Sequence, residues 1–381
     1  MKKGWEIKKL GEVIKLEYGK PLEKTKRNTD GKYPVYGANG IKAFSDEFYY
    51  NEKTIIIGRK GSAGEINLTK EKFWPLDVTY FVKFDKKQIK LKFLYFLFSV
   101  LNLPKLAKGV KPGINRNDVY NIQVPIPPLP EQKHIVSILD RAFEAIDKAK
   151  ANAEQNLKNA KEVFESYLNR IFEEKGKDWE EKKWGDVCKF VRGPFGGSLK
   201  KSMFKETGYA VYEQKHAIHD HFNQLRYFID EEKFNEMKRF EVKAGDIIMS
   251  CSGVTLGKVA VIPNNIPRGI INQALLKLTP KNVISVEFLK YWMRCKIFQD
   301  IIFKHSGGAA IPNVPSAKIL KEIIIPLPKI NEQIKIVKTI EEMLSKTKKL
   351  EVLYKKKIDD LEELKKSILE KAFFGQLTMD N

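Results

Sequence analysis

A chain of 381 residues, 43% of them apolar, is long enough for two or three domains with real cores, and its 69 Lys and Arg against 48 Asp and Glu leave a net charge of +21. So large an excess points to a polyanionic partner, most simply nucleic acid, with a merely solubilising lysine-rich surface or an anionic membrane as the plainer and the weaker alternatives. Three distant cysteines, Cys188, Cys251 and Cys295, exclude a disulfide framework and a paired CxxC zinc site; with no run of about 18 apolar residues and no apolar-cored leader after Met1, a cytoplasmic protein is expected.

The chain opens on Trp5-Glu6-Ile7-Lys8-Lys9-Leu10-Gly11-Glu12-Val13, which returns at an offset of 174 as Trp179-Glu180-Glu181-Lys182-Lys183-Trp184-Gly185-Asp186-Val187. Residues 33–36 match 209–212 at an offset of 176, and 55–61 match 247–253 at 192. Phe93-Leu94 matches Phe288-Leu289 at 195, and Glu131-Gln132 matches Glu332-Gln333 at 201. The offset grows chiefly between Tyr212 and Ile247, so the second copy carries an insertion within 213–245. A repeat of this period marks duplicated domains, not a solenoid. Each copy reads as strand-rich: 54–57, 80–84, 246–250 and 274–278 are short β-branched or aromatic runs bounded by Gly, Pro or Asn. Helical spacing predicts one helix per copy, at about 90–102 and 286–305.

Each copy ends on a Pro-rich motif, Pro125-Ile126-Pro127-Pro128-Leu129-Pro130-Glu131-Gln132 and Pro326-Leu327-Pro328-Lys329-Ile330-Asn331-Glu332-Gln333. A long helical pattern follows each, without Pro or Gly over 131–175 and 332–374. Pro130 suits a first helical turn and Asn331 an N-cap. Ile135, Leu139, Ala142, Ile146, Ala149 and Ala153 step by three or four in the first; Val337, Ile340, Leu344, Thr347, Leu350 and Leu364 lie on the seam of the second. Helices of roughly 60 Å with one apolar stripe need a partner along their length, and the repeat supplies it. The alanine-rich seam lets the bulkier helix pack closely, and the intervening globular copy favours antiparallel pairing.

Signatures of catalysis do not appear. Gly193-Pro194-Phe195-Gly196-Gly197-Ser198 fits neither GxxxxGK[ST] nor GxGxxG and reads as a strand-edge loop able to approach a nucleic-acid backbone. No Asn-Pro-Pro-aromatic or Asp-Pro-Pro-aromatic run of an amino-methyltransferase is present. His216, His219 and His221 cluster without a nearby Cys, so an exposed or nucleic-acid-facing loop is the reading preferred over zinc. Cationic side chains instead concentrate in turns, where they can neutralise phosphates: Lys20, Lys26, Arg27, Lys111 and Arg116 in copy one, and Arg192, Lys200, Lys201, Lys215 and Lys304 in copy two. Residue types suited to base edges are Asn39, Arg59, Lys60 and Ser62, and then Gln214, His216, His219, Ser250, Ser252 and Thr255. Any one of these has an ordinary surface role as its plainer reading; the set carries the argument. The copies agree in frame and differ in loops, which suits a protein that shows one surface twice to identical partners and reads two different targets.

Through Tyr33-Pro34-Val35-Tyr36-Gly37-Ala38-Asn39-Gly40, the two Pro-rich motifs and the closing segment 369–377, essentially the whole chain resembles the specificity (S) subunit of type I restriction-modification systems. The resemblance implies an α+β protein with two strand-rich target-recognition domains separated by two long helices in an antiparallel coiled coil. Recognition domain one would span 1–127, the first helix 128–175, domain two 176–327 with its insertion at about 213–245, the second helix 328–377, and a tail 378–381. It implies a non-catalytic subunit whose domains each bind half of an asymmetric, bipartite double-stranded DNA site, with the helices as spacer. Two methyltransferase (M) subunits and restriction (R) subunits would join it, and S-adenosylmethionine, ATP and magnesium would belong to those partners. Glu131, Gln132, Glu332 and Gln333 are the candidates for methyltransferase docking. The rival expectation is an architectural or regulatory DNA-binding protein outside any modification enzyme.

Overall fold

The computed structural model describes residues 4–305 and 312–373; the expected tail 378–381 and positions 374–377 lie outside the described residues. Two compact units divide the chain, residues 1–154 with 355–381, and residues 155–354, so each long helix contributes to both.

The first unit runs β1 (Glu6–Lys9), α1 (Leu10–Val13), β2 (Ile14–Tyr18), β3 (Tyr33–Gly37), β4 (Gly40–Ser45), β5 (Ile55–Gly58), β6 (Ile66–Leu68), β7 (Trp74–Pro75) and β8 (Thr79–Phe84). It continues with α2 (Leu91–Val100), α3 (Arg116–Tyr120), β9 (Gln123–Ile126) and the start of α4 (Leu129–Glu173). The main sheet has the order β2-β8-β5-β6, and a smaller one the order β4-β3-β7. Isoleucines 55, 56 and 57 are all fully buried, which is why β5 reads as a continuous apolar run instead of an alternating one. Phe93, Leu94 and Leu97 of α2 fill the core beneath that sheet. Antiparallel pairing of β1 with β9 ties the first strand of the unit to the Pro-rich motif.

The second unit repeats this frame as β10 (Glu180–Lys183), α5 (Trp184–Val187), β11 (Cys188–Arg192), β12 (Tyr209–Tyr212), α6 (Gln214–His219), β13 (Phe228–Ile229) and α7 (Glu231–Glu236). Then come β14 (Ile247–Ser250), β15 (Val259–Val261), β16 (Gly269–Ile271), β17 (Leu275–Pro280), α8 (Val286–Arg294), α9 (Lys296–Lys304), α10 (Ala317–Glu322), β18 (Ile324–Leu327) and α11 (Ile330–Phe373). Its main sheet, β11-β17-β14-β15, and its small sheet, β13-β12-β16, match those of the first unit strand for strand. The expected insertion is visible as a topological change. Where β3 turns directly into β4 through Gly37 and Gly40, β12 leads through α6 and a loop before β13 takes the equivalent edge. The added segment packs Ala217, Phe222 and Val242 against frame residues such as Tyr212, Ile248, Ala260 and Ile271 in one apolar cluster.

The single helix expected at 286–305 is two helices. Cys295 is extended, with φ −68 and ψ 155, and the Asn169 side chain accepts from Lys296 N at 2.7 Å to start α9. The break turns Trp292 and Phe298 into one cluster, their rings 4.8 Å apart, which an unbroken helix would hold on separated turns. In the first unit the beginning of α4 and the end of α11 run antiparallel: Asp147 pairs with Lys365 at 2.7 Å, and Lys150 with Glu362, one index rising as the other falls. Leu139 and Phe373 are buried in the same core there. In the second unit Leu168 and Phe172 share a core with Val337 and Ile340. Seam positions Leu350 and Leu364 are 44% and 47% exposed, so the apolar stripe of α11 is narrower than its spacing implies. Pro130 lies in the first turn of α4 as expected; α11 begins at Ile330, which puts Asn331 inside the first turn rather than at the cap.

Candidate nucleic-acid interface

In the first unit the loop after β5 is fixed by backbone bonds at one end of the main sheet. Arg59 N and Lys60 N both donate to Val78 O, at 2.8 and 3.2 Å, and Gly61 N donates to Pro112 O at 3.0 Å. Ile114 N donates to Arg59 O at 3.0 Å, so this loop and the one carrying Lys111 are docked on each other. Gly61 has φ +81, a backbone region that other residues rarely adopt. The Arg59 guanidinium bonds Asp77 O through Nε at 3.1 Å and Nη2 at 2.7 Å. Arg59 and Arg116 both lie over the ring of Tyr18, at 5.4 and 5.5 Å from its centre. Tyr18, the last residue of β2, is 46% exposed and touches Tyr80 at 5.1 Å between rings. Burial, aided by Tyr18, pushes the Tyr80 phenol up to about 12, and it remains a donor to Ile114 O at 3.2 Å.

The second unit builds the same frame with other side chains. Gly253 N donates to Pro312 O at 2.8 Å and Val314 N to Cys251 O at 2.8 Å, the counterparts of the Gly61 and Ile114 bonds, and Gly253 has φ +73. The side chains here are mostly neutral. Gln214 Nε2 donates to Ser250 Oγ at 2.7 Å, Ser252 O at 2.7 Å and Thr255 Oγ1 at 3.2 Å. Arg192 Nη2 donates to Asn313 Oδ1 at 3.2 Å. Cys251 is fully buried and burial pushes its thiol up to about 12, so it offers no thiolate nucleophile. Gly193 closes β11 where a Cβ would sit 1.9 Å from Asn272 O; that glycine of the Gly-rich run serves strand packing.

The fold therefore brings Arg59, Lys60, Ser62, Lys111 and Arg116 to one sheet end in the first unit, and Arg192, Gln214, Ser252 and Thr255 to the matching end in the second; Ser250 is fully buried and serves as an acceptor for Gln214, not as a base-edge reader. Other candidates sit elsewhere. Arg27 spends its guanidinium on Leu22 O, at 3.1 and 2.5 Å, and Lys26 pairs with Glu47 at 2.8 Å. Lys20, Lys200, Lys201, His219 and Lys304 are exposed, as is Asn39 at the β3–β4 turn, and Lys215 lies 3.4 Å from Glu213. His216 is 1% exposed: its Nδ1 accepts from Glu213 N at 2.8 Å and its Nε2 lies 3.3 Å from Gln224 O, capping α6 from inside. Burial holds its imidazole below the usual range. Tyr18 and Asn313 were absent from the sequence candidates. Tyr18 falls on the same repeat position as Arg192, a signal that was available in the offset of 174. Among the described residues no group of three or more His, Cys, Asp or Glu side chains is placed to hold a metal ion.

The Pro-rich joints repeat one hydrogen-bond device. Gln132 is fully buried; its Oε1 accepts from Lys90 N at 2.8 Å, and its Nε2 donates to Gln88 O and Pro127 O, each at 2.9 Å. Gln333 is likewise fully buried, accepting from Ser285 N at 2.7 Å and donating to Val283 O at 3.1 Å and Pro328 O at 2.8 Å. Both glutamines thus fasten the start of a long helix to the loop that precedes α2 or α8. Glu332 accepts from Trp179 Nε1 at 2.8 Å, and Glu131 is half-buried.

Residues 2–158 and 176–362 match the profile of the type I restriction modification DNA specificity domain. The chain belongs to this family. Its sequence is 28% identical to the type I restriction enzyme MjaVIII specificity subunit of Methanocaldococcus jannaschii, across 99% of this chain and 94% of that one. It is 26% identical to the EcoDI specificity subunit of Escherichia coli, across 98% and 89%. The fold is similar to that of the HsdS subunit from Thermoanaerobacter tengcongensis, with a TM-score of 0.63 and 20% identity over 99% of this chain and 98% of that one. A TM-score of 0.77, also at 20% identity and covering 99% of both chains, relates it to a chain solved in work on complex assembly and conformational transition of the type I R-M system. This chain thus carries two specificity domains, each strand-rich and joined to a long helix. Among the described residues no helix is long and apolar enough to cross a membrane.

Proposed function

We propose that this chain is the DNA-specificity subunit of a type I restriction-modification complex, a recognition component without catalysis of its own. Each unit reads one half of an asymmetric bipartite site in double-stranded DNA, and α4 with α11 sets the separation of the halves. The observation that carries this reading is the pair of matching sheet ends. The loops after β5 and β14 are held by equivalent backbone bonds, yet the sheet end around the first gathers arginine, lysine and tyrosine and that around the second glutamine, serine and threonine. Such a frame gives two readers of different chemistry. The net charge of +21 supports a large phosphate-neutralising contribution to affinity.

Two methyltransferase subunits dock at the two equivalent Pro-rich joints, and restriction subunits join that assembly; S-adenosylmethionine, ATP and magnesium are bound by those partners. Because Gln132 and Gln333 are consumed inside the fold, docking rests on the outer surface of the joints, where Glu131 and Glu332 remain partly accessible. The complex acts in the cytoplasm, where the host DNA lies. Sequencing of methylated bases in the source cells, with and without this gene, tests the reading. A split motif is expected to disappear on deletion; persistence of every such motif would refute it, as would failure of the chain to co-purify with a methyltransferase.

A further inference from the structure

One arginine of the first unit stands apart from the others, whose guanidiniums bond backbone carbonyls. Arg116 is exposed, and its guanidinium makes no hydrogen bond or ion pair among the described residues; its partner is the ring of Tyr18. The residue is nonetheless fixed. Asn115 caps α3, its side chain accepting from Asn117 N at 2.9 Å. Leu16 N donates to the Tyr120 hydroxyl at 2.7 Å, and Val119 is fully buried, so α3 is pinned against β2. Tyr80 holds Ile114 just before it. Tyr18 is seated in turn on Tyr80.

Mobile lysines suffice for phosphate contacts. A planar fork stacked on an aromatic face and held by a rigid element loses little entropy on binding, and it matches the O6 and N7 acceptors of guanine in the major groove. Arg59, beside it, has two of its nitrogens committed to Asp77 O. We propose that Arg116, supported by Tyr18, reads a guanine in the half-site of the first unit, a step that rests on the DNA-reading function proposed above. The second unit has no such pair at the matching position: the offset of 201 puts Ala317 at the Arg116 position, and the offset of 174 puts Arg192 at that of Tyr18. The two half-sites therefore differ in how they are read at this point.

The test uses the purified complex of the full chain with its methyltransferase, a duplex library randomised over both half-sites, and sequencing of the methylated products. Exchange of the first recognition domain assigns the half-sites. Arg116→Lys keeps the charge and removes the fork. It is expected to lower the preference for guanine at one position of the first half-site by roughly 5- to 150-fold, the range for one bidentate contact, while leaving the second half-site and the salt dependence unchanged. Tyr18→Ala is expected to weaken the same position, and Tyr18→Phe, which keeps the ring, to leave it intact. Unchanged guanine preference in Arg116→Lys would overturn the proposal. So would an Arg116→Ala variant that binds all sequences equally less well with a salt slope lower by about one, the mark of a phosphate contact. A wild-type complex that yields no bipartite motif would overturn the DNA-reading function itself, an outcome separate from loss of a single guanine.

Discussion

Gln132 shows how a residue's place in a motif and its place in a fold can differ. A polar residue in a repeated surface-like motif resembles a handle for a partner, yet its amide satisfies one backbone donor and two backbone acceptors out of contact with solvent. Truncating it leaves those groups unpaired, and a buried unsatisfied group costs about 1–3 kcal/mol. Gln132→Ala is accordingly expected to lower the stability of the isolated chain by about 2–4 kcal/mol, measured by chemical denaturation. A loss within about 0.5 kcal/mol would return Gln132 to the pool of surface residues. Glu332 needs the same care. Reversing its charge would strip Trp179 Nε1 of its acceptor, whereas Glu332→Gln keeps a carbonyl there and so separates docking from folding.

At the scale of elements, the inserted segment of the second unit depends on its histidine. Glu213 N donates to Nδ1 of His216, so the neutral ring carries its proton on Nε2, toward Gln224 O. Protonating the ring would charge a side chain that is 1% exposed, a cost that outweighs the Gln224 and Glu213 carbonyls beside it. Burial lowers the folded-state value below the ordinary 6.5, so the folded protein binds fewer protons than the unfolded one just below that pH. The stabilisation is complete above about 6.5 and is lost as pH falls toward the folded-state value, by at most about 1.4 kcal/mol per pH unit. Hydrogen exchange at 214–219 is therefore expected to speed up between pH 7.5 and 5.5 beyond its intrinsic pH dependence, and to do so less in His216→Gln. Equal pH responses in the two proteins would rule the histidine out as the cause. The position of this insertion was legible in the change of offset, but its content was not: α6 is six residues long and β13 two, below the length at which periodicity speaks. The break at Cys295 escaped for a related reason. Apolar spacing continues across it, and the cause is long-range, through Asn169 and the Trp292–Phe298 contact.

For the whole molecule, the duplication, the strand-rich copies and the two long helices were readable because each is a pattern of many residues. The reading sites were only partly readable, because a loop side chain is assigned by what it meets. Arg27 and Arg116 look alike in sequence, yet one bonds a backbone carbonyl of its own loop and the other lies over Tyr18. The long helices carry the last consequence. Their antiparallel contacts in the first unit, Asp147 to Lys365 and Lys150 to Glu362, place matched depths of the two helices side by side. Seven residues inserted after Glu154 in α4 and seven before Lys355 in α11 preserve the phase of the apolar seam and add about 10 Å of helix to each. At roughly 3.4 Å per base pair, the unread spacer of the DNA motif is expected to lengthen by about three base pairs, with the bases of both half-sites unchanged. Insertion in one helix alone leaves the seam out of register and is expected to abolish modification. The measurement is the methylation motif of cells carrying each variant. A double insertion that alters the recognised bases, or keeps the original spacer, would remove the helices from the role of ruler.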